Sequence, residues 1–326
     1  MFTLTCQSKI IRELFTKTYF YCCKLFLFLL KNCMKFFSFT HCSAKKSTPP
    51  KLILDCPPMD QFKLANEWRS KISGSLATTP ASDLYVGRGY KTLLERLHGN
   101  QELFIVSAGL GLVEKTKPIP SYDCTIAKGF KSSLENFVEG QVSLTQWWED
   151  LSSSDFSDGK ISNLKGTADF YLVGLTANYL QMVSQDLRET DAVKVIICGP
   201  KIQIPDLGSD VIRVPYTSAF DGPQCPIRGV KSDFVQRCHA DFISRLVKYN
   251  DLTFALQSVL HDMQNWEEPH RLNNQSLDDV AILELILKHK CKFASMGKLH
   301  KFFRHELHIA CEQKRFSNLY KKVVKK

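Results

Sequence analysis

The chain has 326 residues, 44% hydrophobic and 23% charged, enough apolar material for one full core and a smaller second one, which excludes a disordered or fibrous protein. Its 12 cysteines contain no Cys-x-x-Cys pair, so neither a disulfide framework nor a zinc ribbon is indicated, and scattered thiols point to a reducing, cytoplasmic setting. The net charge of +10 is uneven: residues 1–33 hold 5 Lys/Arg against 1 acidic residue, residues 275–326 hold 12 against 5, and the middle is near neutral.

Residues 1–33 differ from the remainder. The apolar run Tyr19–Leu30 is broken by Lys24 and is too short for a membrane span, which needs roughly 20 residues. No small-residue cleavage site follows it. The expectation is an extension from an over-extended start, with the folded chain beginning at Met34 and no membrane span; an amphipathic or membrane-surface extension is the alternative. A strand follows at 35–39, then the polar loop Thr40–Lys46. Prolines at 49, 50, 57 and 58 bar a helix there. Helices are expected at 61–72 and 90–97, around a strand at 103–106 that is apolar throughout and hence buried on both faces. That strand ends on Ser107-Ala108-Gly109-Leu110-Gly111. After a loose region closed by Trp147-Trp148 come strand 170–175, helix 177–187, and strands 193–198 and 211–214. Such alternation predicts an α/β fold with a largely parallel, doubly wound sheet. Asp233 opens an amphipathic helix to Val247 that places His239 beside its apolar face, where a buried partner is expected rather than a metal.

In a parallel sheet the carboxyl ends of the strands converge on one cleft. Here those ends carry Thr40, His41 and Cys42; Ser107 and Gly109; Thr176, Asn178 and Tyr179; Gly199 and Lys201; Tyr216, Thr217 and Ser218. Hydroxyls and free amides suit phosphate and sugar oxygens, and Lys46 and Lys201 supply positive charge. The candidate nucleotide- or phosphate-binding residues are therefore Cys42, Lys46, Gly109, Gly111, Tyr122, Asn178 and Lys201. No P-loop and no Gly-x-Gly-x-x-Gly after a strand is present, so no nucleotide cofactor or metal is assigned.

The domains expected are an α/β cleft domain over 34–250, a linker over 251–275 and a basic helical domain over 276–326. The last reads as three short helices, at 276–289, 298–307 and 311–324, the outline of a helix-turn-helix or winged-helix-like all-α unit. Lys298, Lys301 and Arg304 share one helical face, and Lys314, Arg315, Lys321 and Lys322 share another, as a phosphate-facing nucleic-acid surface would. A small helical cap with solvated charges is the plain alternative.

Three motifs, read together, carry a resemblance. Cys42-x-x-x-Lys46 follows the first strand, Pro80-Ala81-x-x-Leu84-Tyr85 precedes a helix, and Ser107-Ala108-x-x-Gly111-Leu112-Val113 leads to Ile119-Pro120-x-Tyr122-Asp123-x-Thr125. Over residues 34–215 the chain resembles a family of small bacterial proteins that is in turn similar to the YaaA peroxide-stress family. The resemblance implies an α/β domain with a basic cleft, likened to those of DNA glycosylases, and a connection to DNA. The chain departs from that pattern at Ala44, where a second lysine is common, and at Gly109-Leu110, where Lys-Tyr or similar is usual. The function expected is nucleotide or nucleic-acid binding in bacterial DNA maintenance, modification, stress response or defence. If the cleft is catalytic, the chemistry is at a base or N-glycosidic bond, with Asp123 activating and Ser107 holding the sugar-phosphate. The alternative is a non-catalytic, nucleotide-sensing regulator whose C-terminal domain binds DNA or protein.

Overall fold

A computed structural model describes residues 34–97, 101–269 and 274–324. The extension expected over 1–33 lies outside the described residues. The described chain divides into two compact units between Glu268 and Pro269.

The first unit is mixed α/β, built on a six-stranded sheet of β1 (Phe36–His41), β2 (Glu102–Ser107), β3 (Gly111–Glu114), β4 (Phe170–Gly174), β5 (Lys194–Ile197) and β6 (Val211–Arg213). The strands lie in the order β6-β5-β4-β1-β2-β3, all parallel except β3, which runs antiparallel to β2. From β1 the chain proceeds outward to β2 and β3 on one side, then returns to lay β4, β5 and β6 on the other. The reversal falls between β1 and β4. Central strands are buried on both faces: Phe37, Phe39, Phe104, Ile105, Leu172 and Val173 are buried, and so are Ser38 and Thr40 on the second face of β1. Each such apolar side chain contributes about 1.5–3 kcal/mol on burial.

The helices of five or more residues described in this unit are α1 (Gln61–Ser73), α2 (Arg88–Leu94), α3 (Leu144–Ser152), α4 (Ala177–Met182), α5 (Ser184–Arg188), α6 (Phe234–Tyr249) and α7 (Leu252–Asn265). Asp60 caps α1, its carboxylate accepting from the Phe62 and Lys63 amides at 3.0 and 3.2 Å. Leu64, Ala65, Trp68 and Ile72 then form a helical stripe facing the core. The helix expected as one piece over 177–187 breaks at Val183, which leaves helical geometry and divides it into α4 and α5. Residues 251–275, expected as a linker, carry α7, capped by Asp251 and packed on α6 through Ala255, Val259 and Met263. His239 of α6 is wholly buried and pairs its Nε2 with the Ser38 hydroxyl at 2.8 Å.

The second unit has its own core, in which Ile282, Ile286, Leu299, Phe303, Phe316 and Leu319 are buried. Helices α8 (Asp279–His289), α9 (Met296–His305) and α10 (Gln313–Val324) enclose it, and Gln275–Ser276 pairs in parallel with Ile309–Ala310. Among the described residues no helix is long and apolar enough to cross a membrane.

Candidate functional site

The turn from β2 to β3 is the first place where the cleft expectation meets the geometry. Gly111, at φ +80°, closes a tight hairpin and starts the antiparallel strand β3. The Ser107 hydroxyl, two amides and three carbonyls of this turn have internal partners. The Ser107 Oγ accepts from the amides of Leu110 at 3.0 Å and Gly109 at 3.3 Å. The carbonyls of Ala108 and Gly109 accept from the indoles of Trp147 and Trp68 at 2.8 and 2.7 Å, and that of Leu110 from the Ser154 hydroxyl at 3.1 Å. The Gly109 amide, expected to cradle a phosphate, is spent on Ser107. Gly109 serves packing: a Cβ there would come within 2.8 Å of the Tyr122 ring.

Ser107 is itself wholly buried, and its hydroxyl lies 2.7 Å from the Tyr122 phenol. With both Ser107 lone pairs taken by amides, its proton goes to Tyr122. Tyr122 in turn donates to the Tyr85 phenol at 3.0 Å. Burial pushes the pKa values of both phenols far above the usual tyrosine range, so they stay neutral donors.

Above this file of hydroxyls lies Lys46. The segment 45–47 is zipped against 84–86, Ser47 N donating to the Leu84 carbonyl at 2.8 Å and Val86 N to that of Lys45 at 3.0 Å. This holds the Lys46 ammonium 4.3 Å from the Tyr122 ring centroid and 5.9 Å from that of Tyr85. Lys46 is half-buried, and its ammonium makes no hydrogen bond or ion pair among the described residues. Burial lowers its pKa, opposed by Cys42, Asp123 and Cys124, which favour its charge.

Lys46, Ser47, Thr48, Pro50, Tyr122 and Asp123 line a pocket of about 470 Å³. The Pro-rich wall is fixed by the Ser121 hydroxyl on the Thr48 carbonyl at 2.9 Å and by the pairing of Leu52–Ile53 with Tyr122–Asp123. Close by, Cys42 is buried at the end of β1, its thiol 3.1 Å from the Tyr179 phenol, and the Tyr179 ring stacks on His41. This contact bridges the reversal point of the strand order, since Tyr179 follows β4.

The expected site residues thus separate. Lys46, Tyr122 and Asp123 share the pocket, and Ser107 supports Tyr122 from within the core. Cys42 joins through its electrostatic influence on Lys46. Gly111 faces elsewhere, a Cβ there meeting Ser157 and the Leu151 carbonyl. Asn178 is exposed and reaches the Ile126 carbonyl at 3.5 Å, on the loop leaving Asp123. Lys201 is exposed on a turn whose carbonyls at 199, 200 and 202 are gripped by the Arg213 guanidinium, and it does not line the pocket. Sequence reading missed Tyr85 as the end of the hydroxyl file, though its motif had been noted, and missed Ser47 and Thr48 as pocket walls.

In the second unit Lys298, Lys301 and Arg304 are exposed along α9, while Leu299 and Phe303 point inward. Lys314, Lys321 and Lys322 are exposed on α10. Arg315 differs: it is half-buried and bound to the Asp279 carboxylate at 2.7 Å and the Leu277 carbonyl at 2.9 Å, so it ties α10 to the start of α8.

Among the described residues no group of three or more His, Cys, Asp and Glu is placed to hold a metal ion. Compared with models of known protein families the chain matches none, and no curated protein matches it either.

Proposed function

We propose that the Lys46–Tyr122–Asp123 pocket binds a nucleotide, free or within a nucleic acid. The observation that carries this is the unpartnered, half-buried Lys46 ammonium held over the Tyr122 ring in a pocket of about 470 Å³. That volume is of the ordinary size for a small-ligand site. A phosphate supplies the partner Lys46 lacks, and the Ser47 and Thr48 hydroxyls suit sugar or phosphate oxygens. In this reading the sheet is doubly wound, its ligand near the reversal between β1 and β4. The exposed lysines of α9 and α10 bind nucleic-acid phosphates, the three helices acting as a helix-turn-helix or winged-helix-like unit. With the resemblance over residues 34–215, this makes the chain a cytoplasmic protein of bacterial DNA maintenance, modification or defence.

If the pocket is catalytic, the reaction is at a base or N-glycosidic bond, and Asp123 is the group placed to activate water or stabilise positive charge on the sugar. The engagement of Ser107 and of the turn amides favours the second reading, a nucleotide-sensing regulator without catalysis, because those groups are taken from the reacting centre. Incubating the full chain with oligonucleotides and assaying released base by chromatography separates the two. Release that Asp123→Asn abolishes establishes the enzyme; nucleotide binding without release establishes the sensor.

A further inference from the structure

The loop that leaves Asp123 carries a feature the pocket does not use. Between Thr125 and Ser133 the chain folds back on itself, Thr125 N donating to the Ser132 carbonyl at 2.9 Å and Leu134 N to that of Thr125 at 3.0 Å. Its tip is fixed by three further bonds. The Phe130 carbonyl accepts from Ser133 N at 3.1 Å and from the Asn136 side-chain amide at 2.7 Å, and Gly129 N donates to the Glu135 carboxylate at 2.7 Å. A backbone held in this way presents a phenyl ring to solvent: Phe130 is 59% exposed and belongs to neither hydrophobic core. Lys128 and Lys131 flank it, both exposed.

The backbone is held by hydrogen bonds where the side chain joins no core, so core packing does not account for this tip. A rigid aromatic face between two cations fits unpaired bases and their phosphates. Bases stack on aromatic rings whatever their sequence, and lysines track the backbone. A folded protein partner would bury Lys128 and Lys131 at a cost unless it were acidic, whereas a nucleic-acid strand neutralises both. The position agrees. Phe130 lies seven positions after Asp123, at most about 25 Å of chain, a distance that a strand of a few nucleotides spans.

We propose that the 125–133 loop is a stacking platform for single-stranded nucleic acid, Phe130 stacking on a base and Lys128 and Lys131 contacting phosphates next to a nucleotide held at Lys46. This rests on the pocket reading given above and extends its ligand from a single nucleotide to an unpaired strand rather than a duplex.

The test uses the full chain carrying Lys298→Gln, Lys301→Gln and Arg304→Gln, so that binding by the basic helix α9 is suppressed. Its affinities for a short fluorescent oligothymidylate and for a fluorescent mononucleotide are measured with and without Phe130→Ala. The ring is solvent-exposed, so the substitution leaves the melting temperature unchanged. The expected result is about tenfold weaker oligonucleotide binding, in the range found for loss of one stacked base, with mononucleotide binding unaltered. Phe130→Tyr retains the affinity. Lys128→Gln with Lys131→Gln flattens the dependence of log affinity on log salt by about 1.4, at roughly 0.7 per single-strand contact. An oligonucleotide that does not bind the parent, or that binds Phe130→Ala as tightly as the parent, overturns the proposal. A parent that binds the oligonucleotide with Phe130 dependence but binds no mononucleotide sinks the pocket reading and leaves the platform standing.

Discussion

The Ser107 hydroxyl lies 2.7 Å from the Tyr122 phenol, inside a core where neither has access to water. The pair joins the β2–β3 turn to the floor of the pocket, because the same Ser107 oxygen accepts the Leu110 amide while Tyr122 carries the Lys46 ammonium on its ring. Ser107 therefore positions Tyr122 and closes the turn from within the core, and it does not line the pocket.

Ser107→Ala leaves the Tyr122 phenol and the Leu110 amide short of a buried partner, which costs about 1–3 kcal/mol. Denaturant unfolding of the full chain should show a midpoint lowered accordingly. Nucleotide affinity, measured well below the transition, should change less than about threefold, within the loss of one neutral hydrogen bond. An unchanged unfolding midpoint together with lost affinity would make Ser107 a ligand contact after all.

His239 gives the fold an acid sensitivity. Burial lowers its pKa from 6.5 to about 3, with a smaller contribution from the nearby His41. The unfolded imidazole takes its proton near 6.5, whereas the folded one does so only near 3. Stability from this group is fully present above the unfolded value and declines as pH falls, by up to about 1.4 kcal/mol per unit. Unfolding midpoints between pH 7 and 4 should fall with acidity, and His239→Gln should flatten that slope. His41 is lowered by burial in the same direction, so some slope persists in the variant. Identical slopes for the two chains would contradict the assignment.

In the second unit the basic residues are not equivalent. Lys298, Lys301 and Arg304 are exposed on α9, and replacing all three by Gln should reduce the salt slope of duplex binding by up to about 2.7, at roughly 0.9 per phosphate contact, for unrelated sequences alike. Arg315→Gln removes the tie to Asp279 and should lower the melting temperature of this unit without altering that slope. Binding titrations at several salt concentrations read the slope directly. A slope that responds to Arg315 and not to the α9 residues would reverse the assignment.

Five of the six strands were legible in the sequence, because strands buried on both faces write continuous apolar runs such as Leu103–Val106 and Phe170–Val173. The sixth, β3, was hidden: Leu112 and Val113 follow so closely on Gly111 that they read as the end of a turn rather than an edge strand. The helix over 252–265 was lost to the expectation of a linker, since its apolar stripe is only Ala255, Val259 and Met263 wide. For the candidate site, residue type and strand-end position picked out Lys46, Tyr122 and Asp123, which line one pocket, but neither tells whether a hydroxyl faces solvent. Ser107 and Gly109 are inward because two indoles from α1 and α3 take the turn carbonyls, and those partners lie 39 and 41 residues away in the chain. Arg315 was grouped with exposed lysines for the same reason, its acidic partner standing 36 residues earlier.

The pocket reading stands on one contact, the Lys46 ammonium held above the Tyr122 ring. Calorimetric titration of the full chain with a mononucleotide, wild type against Lys46→Met over a range of pH, tests it most directly. On the proposed reading it is the charged lysine that takes a phosphate, so affinity should be held at neutral pH. It should decline as pH rises through the Lys46 pKa, which burial has lowered from 10.5. Lys46→Met should bind at least about tenfold more weakly at neutral pH, the loss expected for a charge-assisted hydrogen bond, and should show no such alkaline decline. Equal affinity of the two chains for the nucleotide, or no binding by the wild type, would contradict the account.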